Sequence, residues 1–283
     1  MVHSDFIRAK LQVQRVYHGA PHWLFWMHDA FVAVLSSGSI GNSFLVMSDG
    51  RGILIDAGIS CKELESRMSS FGAEASQIEG MVLTHEHTDH VRSARRFAEE
   101  SGVQVFGTRG TLALAQLDGM KTVTIAPAKN FTVGDLHIRP FKVRHLAAEP
   151  VAFAITIGAK KVSIASDLGC VTPNAVSEMA DSDLLLIEAN YDERMLLAGD
   201  YPDFLKRAIK GDHGHLSNDD AGVLSMRTAT DKTRKIVLVH LSKDNNTPEI
   251  AFETVERSLK RARLSSELEV SEHGLPSGPF PLS

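Results

Sequence analysis

The chain has 283 residues, 43% of them hydrophobic, and a formal net charge of −5 at pH 7. This length suits one large folded domain or two small ones, and so mild an acidity neither requires nor excludes a polyanionic partner, because nucleic-acid binding depends on local basic patches. Two cysteines, Cys61 and Cys170, are too few for a disulfide framework, and no apolar run approaches the roughly 20 residues that span a bilayer. We therefore expect a cytoplasmic protein without a membrane segment.

The first half of the chain predicts strands, then a helix, then alternating strand and helix. FVAVL and SFLVMSDGRGILIDAG are apolar or alternating and rich in β-branched residues, and the DGRG inside the second segment predicts a hairpin turn. CKELESRMSSFG has helical spacing at Leu64, Met68 and Phe71, and MVLT follows as a short buried strand. VRSARRFAEESG then predicts a helix and VQVFG a strand.

The second half resembles the first in plan. The block from KTVTIAPAKNFTVGDLHIRPFKVRH to VAFAITIGAKKVSIASD is mostly strand, and LLLIEAN and KIVLVHLS are short buried strands. Helices are predicted at YPDFLKRAIK, NDDAGVLSMRTAT and TPEIAFETVERSLKRAR. We expect residues 1–29 to be a loosely ordered N-terminal extension, residues 30–270 to be the folded domain, and residues 271–283, rich in Pro, Gly and Ser, to be a flexible tail.

The segment THEHTDH carries the clearest chemical signal, and it lies between a buried strand and a helix. We expect His85, His87 and Asp89 on the loop and His90 at the entry to the helix. Imidazole suits borderline-soft divalent metals, and the carboxylate adds negative charge that can hold a second cation nearby. The alternative is a polar loop whose histidines bond only to the backbone, but the spacing H-x-H-x-D-H rarely arises without a metal. Because successive side chains in an extended segment point to opposite sides, we expect Glu86 to point away from His85 and His87 and not to bind metal.

This motif, with SGSIGN and LIDAG upstream, resembles the metallo-β-lactamase superfamily over roughly residues 31–265. VRHLAAEP, IASDLG, IEANYD, GDHGHLSN and HLSKDNN follow in an order similar to that of the YycJ/WalJ group. The resemblance implies an α/β (α+β) fold, the αββα sandwich of two mixed β-sheets flanked by helices, and the order of predicted elements agrees with it. It also implies a dinuclear metal-dependent phosphodiester hydrolase of the DNA exonuclease type.

The resemblance assigns two divalent metal ions to seven side chains. One ion is held by His85, His87 and His145, the other by Asp89, His90 and His240, and Asp167 bridges them. His145, Asp167 and His240 fit this assignment, because each ends a predicted buried strand and would reach a sheet edge. Zinc suits the histidines best, and manganese is the alternative because carboxylates suit it. The family often has an aspartate after the third-motif histidine, where this chain has Leu146.

Further roles follow from the same resemblance. Asp89 and Asp167 would position the attacking water, and His215 in GHLSN would donate a proton to the leaving oxygen or contact the phosphate. The alternative for His215 is a residue at a helix entry, before a cap at Asn218. Asp56 in LIDAG is expected to orient a ligand imidazole by accepting its hydrogen bond rather than to bind metal itself.

Basic residues lie close to the motifs in sequence, namely Arg92, Arg95, Arg96, Arg144, Lys206, Arg207 and Lys210. They favour a nucleic-acid substrate, DNA in the first instance, and we predict that Arg92, Arg95 and Arg96 contact it, although basic residues on a helix are often only its solvated face. Three other functions stay open: an RNA nuclease of the same fold, a small-molecule hydrolase acting on a lactam, lactone or thioester, and a metal-binding regulatory module.

Overall fold

The computed structural model describes residues 30–282, so the predicted extension at residues 1–29 lies outside the described residues. Two seven-stranded β-sheets form its centre. The first contains β1 (Phe31–Ser36), β2 (Ser43–Ser48), β3 (Arg51–Ile55), β4 (Ile78–Val82), β5 (Gln104–Thr108), β6 (Thr122–Ile125) and β14 (Ser277–Pro281). The second contains β7 (Phe131–Val133), β8 (Leu136–Lys142), β9 (Val151–Ile157), β10 (Lys160–Ala165), β11 (Leu184–Glu188), β12 (Lys235–Val239) and β13 (Glu267–Val270).

Both sheets are mixed. The first has the order β14-β1-β2-β3-β4-β5-β6, with antiparallel pairs up to β3 and parallel pairs beyond it. The second has the order β13-β12-β11-β10-β9-β8-β7, with parallel pairs from β13 to β10 and antiparallel pairs from β10 to β7. Strands β8, β10, β11 and β12 consequently run in one direction and end at one edge.

Helices follow the strands and cover the outer face of each sheet. They are α1 (Cys61–Ser70), α2 (Thr88–Val91), α3 (Ala94–Ser101), α4 (Arg109–Leu114), α5 (Pro173–Met179), α6 (Glu193–Ala198), α7 (Asp203–Lys210), α8 (Asn218–Thr228) and α9 (Pro248–Arg261). Several begin at a side chain that satisfies a free amide of the first turn: Ser60 forms a capping box with Glu63 at α1, and Ser217 accepts from Asp220 N at α8. None of the helices within residues 30–282 is long and apolar enough to cross a bilayer.

The apolar residues form three layers that explain why the strands are hydrophobic on both faces. In β1, Val32 and Val34 pack between the two sheets, whereas Ala33 and Leu35 pack against the helices of the first sheet. Successive strand residues point to opposite faces, so a strand covered on both sides must be apolar throughout. A third cluster joins the second sheet to its own helices. The predicted fold class, an αββα sandwich of two mixed sheets flanked by helices, is confirmed.

The hairpin predicted at DGRG is present, because Asp49 and Gly50 both have positive φ (49° and 73°) between the antiparallel strands β2 and β3. The flexible tail predicted at residues 271–283 is wrong for Ser277–Pro281, which forms β14 and pairs with β1. Phe280 is 3% exposed and lies in the core between the sheets. Burial of its ring and pairing of the β1 edge outweigh the Pro and Gly content that suggested disorder.

Candidate metal centre

Five strand ends deliver the predicted site residues, and a sixth delivers Glu188, to one place between the two sheets. Strands β3 and β4 of the first sheet precede Asp56 and the THEHTDH segment, and β8, β10 and β12 of the second precede His145, Asp167 and His240. The sixth is the end of β11. Asp56, Asp167 and His240 each adopt a left-handed backbone, with φ of 57°, 56° and 57°. Such φ values are uncommon for residues other than glycine and cluster at functional sites.

The first donor set consists of three imidazoles. His85 Nε2 lies 3.0 Å from His87 Nδ1, and His145 Nε2 lies 3.3 Å from the same atom. The remaining nitrogen of each ring contacts another group: His85 Nδ1 lies 3.0 Å from Thr84 Oγ1, His87 Nε2 3.0 Å from the carbonyl of Leu146, and His145 Nδ1 3.0 Å from the carbonyl of Gly214. These contacts fix the ring orientations and leave three nitrogens to share one cation.

The second donor set contains Asp89, His90 and His240. Asp89 Oδ2 lies 3.5 Å from His90 Nε2 and 4.0 Å from His240 Nε2. The other nitrogen of His90 lies 2.7 Å from the fully buried carboxylate of Asp56. Asp56 also accepts hydrogen bonds from the backbone and hydroxyl of Thr84, at 2.8 and 2.7 Å. Asp56 therefore contacts Nδ1 of His90, whereas Nε2 of the same ring lies near Asp89 and Asp167.

Asp167 lies between the two sets. Its Oδ2 is 3.0 Å from His90 Nε2, and its Oδ1 is 3.7 Å from His145 Nε2. Among the described residues, Asp167 Oδ2 and His240 Nε2 are buried without a hydrogen-bond partner of good geometry. Buried polar atoms are nearly always paired, so two such atoms in one cluster of histidines and carboxylates fit the donor set of a cation site. The arrangement suits divalent metal ions.

The pKa values of the buried groups follow from their neighbours. Burial, with the positive charge of the neighbouring His90, lowers the pKa of His85 well below its usual value. Burial also opposes charge on His240, but Asp167 and Glu188 outweigh it and raise the pKa of His240 to about 9. Burial raises the pKa of Asp167, yet the positive charge of His240 and His90 dominates and holds that pKa well below its usual range. The second set is therefore the more strongly anionic environment.

Glu188, the last residue of β11, belongs to this site and had no predicted role. Its side chain is fully buried, and Oε1 lies 2.8 Å from both His215 Nδ1 and His240 Nδ1. Oε2 accepts hydrogen bonds from the backbone amides of Leu168 and Leu216, at 2.6 and 3.3 Å. The signal was present in the sequence, because a lone carboxylate ends the apolar run LLLIE just as Asp167 ends VSIASD.

His215 belongs to neither predicted donor set, although with Asp167, Glu188 and His240 it forms a further group of possible metal ligands. Its Nδ1 contacts Glu188, and the same atom is 3.5 Å from Asp167 Oδ1. Burial lowers the pKa of His215, but the Glu188 carboxylate outweighs it and raises that pKa. The side chain stays 24% exposed, in contrast to 3% for His240. A partly exposed imidazole held by a buried carboxylate can accept and donate a proton at the rim of the site.

Two loops hold the THEHTDH segment in place. Asn42 donates to Asp89 Oδ2 at 3.1 Å, and its backbone amide donates to the Asp89 carbonyl at 2.7 Å. A Cβ at Gly58 would lie 1.7 Å from that carbonyl, so only glycine fits there. Glu86 accepts a hydrogen bond from Ala148 N at 2.7 Å, which ties the segment to the loop after β8.

The structure corrects the expected placement of Asp89. We expected Asp89 on the loop, but it lies within the four-residue helix α2, beside His90. The short helix ends at Arg92 because the chain turns there into α3, and this places the carboxylate and the imidazole of adjacent residues close to one centre. The predicted helix over VRSARRFAEESG is consequently divided between α2 and α3.

The structure does not bring the predicted arginine contacts together at the cluster. Arg95 and Arg96 are exposed on α3 and pair with Glu99 and Glu100, at 2.9 and 2.8 Å. These are ordinary pairs four residues apart on a helix, as the solvated-face alternative describes. Arg92 is exposed, and it has no ion pair within residues 30–282.

The αββα sandwich and the two donor sets at its edge define a metal-dependent hydrolase of the kind that binds divalent ions between two sheets. The chain belongs to the metallo-β-lactamase superfamily and, within it, to the WalJ/YycJ group. Residues 51–241 match the model of the Beta-lactamase superfamily domain.

Relatives of established name support this membership. The chain is 33% identical over 239 residues to the Exodeoxyribonuclease WalJ of Streptococcus pneumoniae, covering 82% of this chain and 89% of that protein. It is 33% identical over 235 residues to the Exodeoxyribonuclease YycJ of Bacillus anthracis, covering 81% and 88%. Among solved structures, the metallo-beta-lactamase fold protein YhfI of Bacillus subtilis is similar with a TM-score of 0.67 and 18% identity, covering 88% of this chain and 99% of YhfI. At that identity the structural similarity shows the fold alone.

Proposed function

We propose that this protein is a dinuclear metal-dependent phosphodiesterase that degrades DNA from an end. The observation that carries the proposal is the pair of donor sets joined by Asp167, with His215 and Glu188 beside them. Two cations about 3.5–4 Å apart commonly catalyse in-line displacement at phosphorus, because they stabilise both the attacking and the leaving oxygen. The names of the relatives in Streptococcus pneumoniae and Bacillus anthracis support DNA as the polymer.

The proposed metal assignment is the one that the sequence predicted. His85, His87 and His145 would hold one ion, Asp89, His90 and His240 the other, and Asp167 both. Zinc fits the imidazole donors, and manganese is the alternative because two carboxylates contribute. When bound, the ions supply positive charge that lowers the pKa of water and neutralises the phosphate.

The chain's own residues would then orient water and move one proton. Asp89 and Asp167 would accept hydrogen bonds from the water, which gives up one proton to solvent. Its oxygen attacks phosphorus as the bond to the leaving oxygen breaks. His215 gives its proton to that leaving oxygen through Nε2, since Nδ1 is held by Glu188. The buried carboxylate stabilises the protonated imidazole before the transfer and fixes its orientation.

End-directed DNA degradation is tested with metal-loaded protein, using linear and covalently closed circular DNA of the same sequence. We expect nucleotides to be released from linear DNA while circular DNA stays intact, and the chelated protein should release none. RNA of the same sequence and a chromogenic lactam are run in parallel. Degradation restricted to RNA would make the protein a ribonuclease of the same fold, and turnover of the lactam alone would refute the nuclease function.

A further inference from the structure

A cationic cleft lies between α6 and α7, outside the metal cluster. Its walls are formed by Leu197, Asp203, Lys206, Arg207, Lys210 and Gly211. Lys206 donates to the Leu197 carbonyl at 2.8 Å, which ties the two helices together.

The charges around this cleft leave a surplus of positive charge. Lys210 pairs with Glu193, and Asp203 is the second nearby carboxylate. Arg207 is exposed and has no ion pair among residues 30–282. Three cations therefore face two carboxylates, and Arg207 is free to bind an anion. An arginine with a planar fork of donors is well suited to a phosphate.

The helix that carries these cations also exposes an aromatic ring. None of the residues of α7 is buried, and Phe204 is 68% exposed. Phe204 and Arg207 are three residues apart, so they lie on neighbouring positions of one helix face. An exposed aromatic ring beside cations is the combination that binds single-stranded nucleic acid, because bases stack on the ring while the cations contact phosphates.

The last turn of α7 is connected directly to the candidate centre. His215 N donates to the Ile209 carbonyl at 2.9 Å, and Gly214 N donates to the Gly211 carbonyl at 2.7 Å. The Gly214 carbonyl in turn contacts His145 Nδ1 at 3.0 Å. Four residues of chain span at most about 14 Å, so Gly211 in the cleft lies within that distance of His215. A strand bound at the centre can reach the cleft within a few nucleotides.

We propose that the cleft between α6 and α7 binds the phosphate backbone of single-stranded DNA next to the reacting end, with Arg207 contacting a phosphate and Phe204 stacking on a base. This inference rests on the proposed nuclease function and adds the surface that holds the strand. It also assigns a purpose to Lys206, Arg207 and Lys210, which the metal cluster does not use.

Arg207→Glu tests the phosphate contact, with Arg261→Glu as the matched control because Arg261 is an exposed arginine in the last turn of α9. Binding of a fluorescent phosphorothioate oligonucleotide, which resists hydrolysis, is measured by anisotropy on the metal-loaded protein. We expect Arg207→Glu to raise Kd about tenfold, the equivalent of one hydrogen bond to a charged group. The slope of log K against log salt should fall by about 0.7 for one lost phosphate contact. Arg261→Glu should leave both quantities unchanged.

Phe204→Ala tests the stacking contact, with Leu114→Ala as control because Leu114 is a similarly exposed apolar residue at 57%. Phe204→Ala should weaken binding of the single strand and leave duplex binding unchanged, because bases in a duplex are already stacked. Leu114→Ala should alter neither.

The small diester bis(p-nitrophenyl) phosphate separates binding in the cleft from damage to the centre. Its hydrolysis should be unchanged in Arg207→Glu. Equal effects of Arg207→Glu and Arg261→Glu on DNA binding, or a parallel loss of small-diester hydrolysis, would overturn the cleft as a binding surface. DNA that binds through Arg207 but is never hydrolysed would refute the nuclease function while keeping the cleft, and hydrolysis with Arg207-independent binding would do the reverse.

Discussion

Glu188 Oε1 lies 2.8 Å from His215 Nδ1 and the same distance from His240 Nδ1, so one buried carboxylate oxygen orients two imidazoles with different proposed roles. His240 belongs to a donor set, whereas His215 lies at the rim. Glu188 would therefore link the proposed metal holding by His240 to the proposed proton transfer by His215, and substitutions of the three residues should have different consequences.

Glu188→Gln should weaken both metal holding and turnover. The amide keeps the size of the side chain but removes the charge that stabilises both imidazoles, and loss of a group that supports ligands costs roughly 10–100-fold in metal affinity or activity. Metal titration and kcat measured at saturating metal will show the two effects. Unchanged affinity and unchanged kcat would contradict the coupling.

His215→Ala should retain the metal and lose turnover, because His215 lies outside both proposed donor sets. We expect kcat to fall by about 10²–10⁴-fold, the usual contribution of general acid catalysis, with elemental analysis unchanged from the wild type. The comparison with Glu188→Gln is informative, since only the latter also disturbs His240. A variant emptied of metal would place His215 among the ligands instead.

Asp56→Asn should affect the two ions unequally. Asp56 contacts His90 directly but reaches the first set only through the Thr84 hydroxyl, which lies beside His85, so the amide should loosen the second ion more than the first. A stepwise metal titration should show one affinity reduced by roughly 10–100-fold. The prediction fails when both affinities fall equally or neither changes. Unfolding midpoints of the metal-loaded variants serve as the control for misfolding.

Arg92→Ala should weaken DNA binding more than Arg95→Ala combined with Arg96→Ala. The last two residues pair with Glu99 and Glu100 on the exposed side of α3, whereas Arg92 has no such partner within the described chain. Salt titrations of DNA binding should lose slope in Arg92→Ala, by about 0.7 for one phosphate contact to a single strand. Equal losses for the two variants would favour the sequence-based assignment of all three arginines.

The fold followed from the sequence wherever hydrophobic periodicity was strong. FVAVL and the first four residues of LLLIE are apolar throughout because these strands are covered on both faces. The sequence did not predict strand β14, because its pairing with β1 joins residues about 250 positions apart, such as Phe31 and Pro281. No local pattern in SGPFP indicates that contact.

The sequence predicted the site residues that lie together in one motif. It did not predict residues whose role depends on contacts that only the fold creates. His85, His87, Asp89 and His90 are adjacent in sequence, so their spacing alone indicated a shared centre. The role of Glu188 depends on two histidines that lie 27 and 52 positions away along the chain. Asn42 is similar, because its contact with Asp89 joins two loops.

The most direct test is the metal content of purified protein, measured together with release of nucleotides from linear DNA, for the wild type and for Asp167→Ala. Asp167 is the one side chain proposed to contact both ions, so its loss should remove metal and activity together. The wild type should hold close to two divalent ions per chain and degrade the DNA, and Asp167→Ala should do neither. A wild-type protein without transition metal after reconstitution, or an Asp167→Ala variant that degrades DNA at the wild-type rate, would contradict the dinuclear mechanism.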